Sequence, residues 1–446
     1  MSRFLKLMSI LAIVALIAVP AFAEVQNVKV SGDIDSKMIH RANYDLGVDS
    51  SATDKDTWFM STTRVQVDAD LTDNVSTCVR LLNERDWNVE SADTNAITLD
   101  LASVKIKEMF YAPLTMTIGR QNIRLGTGLV VGDPDTNDAV AGVTAPITAS
   151  DLSSRKSFDA IRATLDYNPL VMDVIFAKIN AGAIGTLNNN DDTSLYGINA
   201  AYKFNKYNSE AEAYMISKVN RSAAGSLTDT VDVYGVRGSL EPISKLVVNG
   251  ELAMQRGDYV DTATTKVDRS AWAADAAASY AIDYKWSPKI GLAYVYRSGV
   301  KNEDEGDPVA SKYKAWDTMC EDQTHGIVAN EILDGNNDGG DSNSQIINAM
   351  VSVVPVQDLT FTVDYYHFLL AQKWANGSTR TMNGSTSYKV TDKKSLGNEV
   401  DLSLAYDYTE DVKLGLTAGY FVPGAAFDAA NDKTASTVMA DVKVAF

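Results

Sequence analysis

Alternation of apolar and polar residues is the feature that most constrains how this chain can fold. Over residues 64–71 the even positions are charged or polar, whereas the odd positions are Val, Val, Ala and Leu. Residues 271–282 and 399–408 repeat this period of two, with aromatic and aliphatic side chains on one parity. Such alternation is typical of β-strands with one apolar face. After residue 24 no apolar run reaches the roughly 18 residues that a membrane-spanning helix needs, so any membrane crossing must be made by strands.

The last strand-like segment ends on the C-terminal residue. Val442, Val444 and Phe446 fall on one face, and Asp441 and Lys443 fall on the other. A strand that is apolar toward lipid and polar toward a lumen is typical of transmembrane β-barrels. A terminal aromatic residue at the end of such a strand resembles the last strand of outer-membrane barrels. The resemblance implies that the barrel-insertion machinery recognises this strand.

The N-terminus has the pattern of a secretory signal. Arg3 and Lys6 precede an apolar run over residues 7–19, and residues 21–23 read Ala-Phe-Ala, which is a small-x-small cleavage pattern. The run is too short for a convincing membrane span. We therefore predict a signal peptide over residues 1–23 and an exported mature domain over residues 24–446 in a Gram-negative-type cell. The alternative is a retained signal anchor.

Charge and cysteine content narrow the partners. The formal net charge is −18 at pH 7, which argues against nucleic acid as a partner. Much of the acidity lies in predicted loops, where it can hold divalent cations or simply keep the surface solvated. Cys78 and Cys320 are predicted at opposite ends of the barrel, so a disulfide between them requires the second to fold deep into the lumen. Pairing and two free thiols both stay open.

Turn-forming Asn, Asp and Pro residues divide the chain into strands. Short turns are expected at residues 72–74, 110–113, 168–169, 205–207, 241–243, 283–287, 355–358 and 409–411. Longer polar segments alternate with them, and the largest lie near residues 126–156, 298–342 and 370–395. This pattern predicts an all-β transmembrane antiparallel β-barrel of about 18 strands, with short periplasmic turns, long extracellular loops and both termini in the periplasm. Sixteen strands is the alternative count.

An ordered set of short motifs resembles the alginate-export family of outer-membrane porins. The motifs lie at residues 71–75, 85–87, 118–121, 124–126, 155–162, 364–368 and 396–402. The resemblance implies an eighteen-stranded, monomeric barrel with a lumen for acidic sugar polymers. The set is specific to the family and much less so to the substrate. Residues 316–318 read Trp-Asp-Thr, which departs from the aromatic-Asp-Pro segment of the family.

Charged residues on the polar parity are expected to line the lumen. The candidates are Arg64, Arg80, Arg162, Arg237, Asp68, Glu84, Asp100, Asp364 and Asp401. Arg120 and Arg124 join them if a bulge at Gly119 turns both inward. Arginine suits a conduit for carboxylates because its planar fork pairs bidentately and stays charged, and facing carboxylates keep that binding weak enough for passage. The alternative is that these charges only solvate a wide lumen.

One acidic loop has the spacing of a calcium site. Asp334, Asn336 and Asp338 place side-chain oxygens at alternate positions before Gly339, as at the start of an EF-hand loop. The twelfth position is Gln345 rather than Glu, and no helices are predicted beside it. We predict a candidate Ca²⁺ site on an extracellular loop and no other cofactor. A flexible Asp/Asn/Gly loop is the alternative.

Catalytic patterns are missing from the sequence, which has no GxSxG, HExxH or Walker motif. We therefore predict that the protein is not an enzyme. The leading hypothesis is an outer-membrane channel for passive diffusion of small hydrophilic solutes, with anionic sugar acids or organic acids as candidates. The alternative hypothesis is a structural or interaction barrel whose acidic loops bind calcium or other envelope components.

Overall fold

The computed structural model describes residues 27–48, 54–88, 97–134, 149–180, 192–221, 227–262, 265–301, 312–334, 341–382 and 386–446. The predicted signal peptide, residues 1–23, lies outside these ranges.

Long antiparallel strands make up almost all of the regular structure. The first eleven are β1 Asn27–Ala42, β2 Lys55–Thr72, β3 Val75–Asp86, β4 Thr98–Lys107, β5 Leu114–Asn122, β6 Ser157–Asp166, β7 Leu170–Asn180, β8 Thr193–Phe204, β9 Ser209–Arg221, β10 Thr228–Ile243 and β11 Leu246–Thr262. The others are β12 Thr265–Arg269, β13 Ala271–Ala281, β14 Lys289–Arg297, β15 Lys312–Tyr313, β16 Ser344–Val356, β17 Leu359–Leu370, β18 Thr379–Met382, β19 Thr386–Lys389, β20 Ser395–Asp407, β21 Val412–Pro423 and β22 Ala435–Ala445.

Eighteen of these strands, all except β12, β15, β18 and β19, form a closed antiparallel barrel. Each barrel strand pairs with the next along the chain, and β1 pairs antiparallel with both β2 and β22, which closes the sheet. The predicted fold class and the count of eighteen are therefore confirmed. The short strands β12 and β15 pair in parallel beside the barrel, and β18 and β19 form a hairpin within a long connection.

Short and long connections alternate around the barrel, as the turn signals predicted. Two of the short turns lie later than expected, because β10 continues to Ile243 and β16 continues to Val356. Each of these strands contains a proline, Pro242 or Pro355, and each shows a register shift at that point. Proline has no N–H for the ladder, so a local irregularity accommodates it within the strand. The sequence predicts both prolines in turns, whereas both lie within strands.

Apolar side chains of the barrel strands point outward. On β2, Val65 and Val67 are each 38% exposed, whereas the adjacent Arg64, on the opposite face of the strand, is half-buried. Trp272 on β13 and Leu402 on β20 are exposed in the same way. An outward band of apolar and aromatic side chains is the surface that such a barrel presents to lipid.

The C-terminal residue completes the seam between β1 and β22. The Gly32 N–H donates to the Phe446 carbonyl at 2.9 Å, and the Phe446 N–H donates back to the Gly32 carbonyl at 3.0 Å. A Cβ atom on Gly32 would lie only 2.7 Å from Cζ of the Phe446 ring. The terminal aromatic side chain therefore lies directly over a residue without a side chain.

Long connections fold into the barrel and pack on its inner wall. A first cluster joins loop residues Leu129, Trp316 and Cys320 to inward residues such as Val233 and Ala273. A second cluster packs loop residues Val328, Ile332, Trp374 and Tyr388 against Phe368 and Phe421. Much of the apolar core of the protein is therefore built inside the barrel by its loops.

The helices of the described residues are short and belong to these connections. They are a 3-10 helix at Ser150–Leu152 and one α-helix at Ala329–Ile332, which we call α1. No helix in the described ranges has the length and apolar character needed to cross a membrane. Cys320 does fold into the barrel interior, but no disulfide joins it to Cys78.

Candidate functional site in the lumen

Inward arginines pair with carboxylates on the neighbouring strand. Arg64 donates from Nε and Nη2 to the two oxygens of Asp33, at 2.8 and 2.9 Å. Arg162 makes the same two-point contact with Asp173, at 2.8 Å for both bonds. These fork-to-carboxylate pairs fix the guanidinium groups against the wall. Their side chains remain 21% and 29% exposed toward the interior.

Arg80 and Asp100 form a third pair, which depends on an irregular register. The β3–β4 ladder shifts between Arg80 and Leu81, so that Asp100 lies between the partners Leu101 and Leu99. Asp100 is then buried and accepts a bond from Arg80 Nε at 2.5 Å. A bulge of this kind re-aims one side chain, and in this case it brings Asp100 to Arg80.

Two further predicted acidic residues on this parity contact neutral neighbours. Asp68 accepts a bond from Gln66 Nε2 at 2.8 Å, and Asp364 accepts one from Asn348 Nδ2 at 3.0 Å. Both residues are half-buried. In these two hydrogen bonds the carboxylates of Asp68 and Asp364 are therefore held by side-chain amides and not by arginine.

Arg120 does not join the inward arginines. The β4–β5 and β5–β6 ladders run through Gly119 without a register shift, although the φ angle of Gly119 is +114°. Arg120 thus keeps the parity of Ile118, which is 40% exposed on the outer face. Its ion pair with Asp159, at 3.3 Å, lies on that face as well. The expected bulge at Gly119 is absent. Because strand pairing continues through Gly119, the Arg120 side chain stays on the outer face.

Several inner-wall carboxylates hold the in-folded loops. Glu399 is fully buried and accepts the backbone N–H groups of Val328 and Ala329 at 2.8 and 2.7 Å. Asp401 accepts the N–H of Ile327 at 3.2 Å. These bonds satisfy the first N–H groups of α1, which have no partner within the helix. Asp401, predicted from its parity to line the pore, therefore anchors a loop.

Glu84 anchors a different loop segment. It accepts bonds from the Ser153 hydroxyl at 2.8 Å and the Ser154 N–H at 2.6 Å, and Arg155 Nε lies 3.4 Å from it. Glu84 is only 3% exposed. The parity of Glu84 predicted that its side chain points inward. Its loop partners lie about 70 residues away in sequence, and no periodic pattern in the loop predicts this contact.

A row of charged groups crosses four adjacent strands. Glu212, Arg237, Glu251 and Asp275 lie directly opposite one another on β9, β10, β11 and β13. Arg237 Nη1 donates to Glu212 at 2.9 Å. Glu251 accepts the Thr127 hydroxyl at 2.8 Å, so that this row also holds a loop segment.

One loop is held by an ion cluster that the sequence pattern did not predict. Asp317 lies half-buried between Lys218 and Arg269, and Gln255 bonds both its backbone N–H and its carbonyl, at 2.8 and 2.7 Å. Burial alone would raise the pKa of Asp317, but the two cations outweigh it and hold that pKa below its usual value. Asp317 occupies the segment where the sequence departs from the family pattern, and no alternation marks its partners.

Three in-folded segments meet at one carboxylate. Asp322 accepts hydrogen bonds from Arg124 on one oxygen and from Lys156 on the other. Arg124 is 49% exposed and Lys156 is 41% exposed, whereas Asp322 is 15% exposed. We call these three residues the loop junction. It presents two half-exposed cations with one carboxylate between them.

Acidic groups also surround α1 at the long-connection end of the barrel. A pocket of about 300 Å³ lies among Arg41, Tyr44, Trp58 and Glu331. Burial, followed by the neighbouring Asp151, raises the pKa of Glu331 to about 8, although Arg41 opposes the shift. Glu331 is therefore largely protonated at neutral pH.

The predicted calcium site lies mostly beyond the described residues. Asp334 is described, but Asn336 and Asp338 lie in residues 335–340, which are not. Within the described ranges, no three His, Cys, Asp or Glu side chains come together as metal ligands would.

Comparison with known proteins identifies the family of this barrel. A family model described as "Alginate export" matches residues 29–441. The chain belongs to the alginate-export family. Among solved structures, OccK2 (OpdF) of Pseudomonas aeruginosa superposes with a TM-score of 0.57 at 12% identity, covering 95% of this chain and 98% of that one. The outer membrane protein opdK of the same organism gives 0.53 at 10% identity, covering 94% and 99%.

At these identities the two structures show a shared fold only. Comparison of the sequence with curated proteins gave no match. As a member of the alginate-export family, the chain is an outer-membrane β-barrel of a transport-channel family. Inside the barrel, in-folded loops pack on the wall, and arginines of the wall pair with carboxylates.

Proposed function

We propose that this family member is a passive outer-membrane channel for small hydrophilic solutes, with a preference for anions such as sugar acids or organic acids. The observation that carries the proposal is the loop junction, where Arg124 and Lys156 remain half-exposed beside a single carboxylate. The wall arginines Arg64, Arg80 and Arg162 add cationic groups already held in place by carboxylates. Paired cations give the weak, repeated binding that conduction requires.

Ligands of the structural neighbours belong to the same chemical class. OccK2 has been crystallised with glucuronate, with a TM-score of 0.55 at 12% identity, and OpdK with vanillate, with 0.51 at 10% identity. Both ligands are carboxylates. Glucuronate and vanillate are therefore suitable first solutes to test. On this proposal, solutes diffuse through the protein and are not chemically changed by it.

The test is the reversal potential of single channels in a planar bilayer with a salt gradient. The refolded mature chain should conduct with a preference for anions. Arg124→Gln and Lys156→Gln should each lower the anion-to-cation permeability ratio roughly two- to five-fold, which matches the effect of one hydrated charge at close range. Lys245→Gln is the matched control, because Lys245 pairs with Asp283 at a short turn away from the junction. A cation-preferring current would overturn the anionic part of the proposal.

A second candidate, a structural or interaction barrel, is favoured by the two apolar clusters that fill much of the interior. Calcium binding by the loop of Asp334, Asn336 and Asp338 belongs to this alternative. A correctly folded barrel that carries no current would favour it over the channel. Isothermal titration with calcium then tests the loop, and the absence of binding would remove the calcium part.

We further propose that the barrel inserts as a monomer through its C-terminal strand, with both termini and the short turns in the periplasm. β1 begins and β22 ends at the short-turn end, since Asn27 is opposite Asp70 and Ala445 is opposite Asp33. Bacterial barrels have short periplasmic turns and longer outer loops. Light scattering on the refolded protein tests the monomer, and a trimer mass would overturn it.

A further inference from the structure

We propose that Asp322 is a built-in competitor for solute anions at the loop junction, and that it sets how tightly the channel holds them. The inference rests on the proposed channel function and deepens it. Arg124 and Lys156 supply the attraction, whereas Asp322 limits it. Asp322 is thus a specificity-determining residue that sequence parity did not reveal, because it lies in a loop.

The contacts of Asp322 keep its carboxylate between the two cations. Its backbone N–H donates to the Gly128 carbonyl at 2.8 Å, and its own carbonyl accepts a bond from Arg124 Nη2 at 2.9 Å. Arg124 Nη2 also donates to the Thr127 carbonyl at 2.7 Å. The main chain is therefore held independently of the side-chain carboxylate. These bonds keep the main chain of Asp322 beside the two cations, whatever the rotamer of its side chain.

The donors left over at the junction face solvent. A guanidinium group has five N–H donors and an ammonium group has three, more than the Asp322 side chain can accept. Arg124 and Lys156 are 49% and 41% exposed, about three times the 15% of Asp322. An anion can therefore reach both cations from the open side while Asp322 remains on the other.

Charge then decides the strength of that contact. Two cations and one carboxylate leave a net charge of about +1 at the junction, on the usual ionisation of these groups. Removal of the carboxylate charge would raise it to about +2 and strengthen attraction for an anion. Strong binding slows release, and a channel must release what it binds. Asp322 thus lowers the affinity for anions and raises the rate at which the channel releases them.

The test compares wild type with Asp322→Asn in planar bilayers, using glucuronate as the probe anion. We expect Asp322→Asn to bind glucuronate roughly three-fold more tightly, as measured by concentration-dependent reduction of the chloride current, in line with loss of one partly exposed charge. The reversal potential should shift further toward the anion value. Asp283→Asn removes the same charge at a short turn, from a residue that pairs with Lys245, and should shift neither quantity.

A purely structural role predicts the opposite direction. If Asp322 only ties the segments together, Asp322→Asn will loosen them, raise the open conductance and lower the anion preference. That result would overturn the inference. Asp322→Glu, which keeps the charge, should restore wild-type affinity. A wild-type channel that is anion-selective beside an unchanged Asp322→Asn variant would remove this inference alone, whereas a wild type without anion preference would remove the proposed function with it.

Discussion

At the seam of the barrel, the ring of Phe446 lies against the backbone of Gly32. A Cβ on Gly32 would approach the Arg64 carbonyl to 2.3 Å as well as the ring. We predict that Gly32→Ala destabilises the folded barrel by roughly 1–3 kcal/mol, the usual cost of overpacking. Gly238→Ala is the control, because a Cβ there has its nearest neighbour at 3.9 Å. The stability of both variants is measured by urea titration, in which the folded barrel is followed by its distinct gel mobility before heating. Equal stability of the two variants would contradict the prediction.

Single residues also mark the limit of sequence reasoning. Parity places Arg64, Arg80 and Arg162 on the polar side of their strands, because period two fixes the side of every residue in a regular strand. Alternation does not predict that Asp100 pairs with Arg80, because the pair depends on a bulge at Asp100. Nor does it predict the orientation of Arg120, which depends on the absence of a bulge at Gly119. A bulge adds one residue to one strand only, so it is a property of strand pairing. A single segment does not encode it.

Among the elements, the short helix α1 depends on its docking inside the barrel. Glu399 holds its first N–H groups, and Ile332 and Leu333 pack in the second apolar cluster. Glu331 faces Arg41, Asp151 and Asp334 across the docked surface, with Tyr44, Asp54, Lys55 and Asp56 lining the adjoining pocket. The charge state of Glu331 therefore affects whether α1 stays docked.

We predict that docking of α1 weakens as the pH rises. The pKa of Glu331 is raised from its ordinary 4.5 to about 8 in the docked state. Between these values the undocked side chain loses its proton while the docked one keeps it, so docking loses stability up to about pH 8 and changes no further above it. Hydrogen exchange of residues 327–334, corrected for the intrinsic rate, should show less protection at pH 9 than at pH 5.

Glu331→Gln should remove this difference, because glutamine does not ionise in that range. Glu410→Gln, in an exposed short turn, is the matched control and should retain it. Equal protection of the wild type at the two pH values would contradict the prediction.

For the whole molecule, alternation and turn chemistry predicted eighteen strands, whereas the contents of the lumen were not predictable. Strand count depends on local signals that repeat along the chain. The loop residues Trp316 and Val328 are apolar without any period, so their sequence does not show what they pack against. Their partners on the wall are set by closure of the barrel, which brings together strands far apart in sequence. The loop junction therefore forms only in the closed barrel.

Because the closed barrel has eighteen antiparallel strands, β1 begins and β22 ends at the same end of the barrel. A single labelling experiment therefore tests the orientation of the whole molecule. We introduce Asn74→Cys in the short β2–β3 turn, or Asn376→Cys in the long β17–β20 connection; both positions are exposed. A membrane-impermeant thiol reagent added to intact cells should label Asn376→Cys and leave Asn74→Cys unlabelled. The parent chain controls for background, since Cys320 is buried and Cys78 is half-buried. The reverse labelling pattern would invert the proposed orientation, and with it the side from which solutes first meet the loop junction.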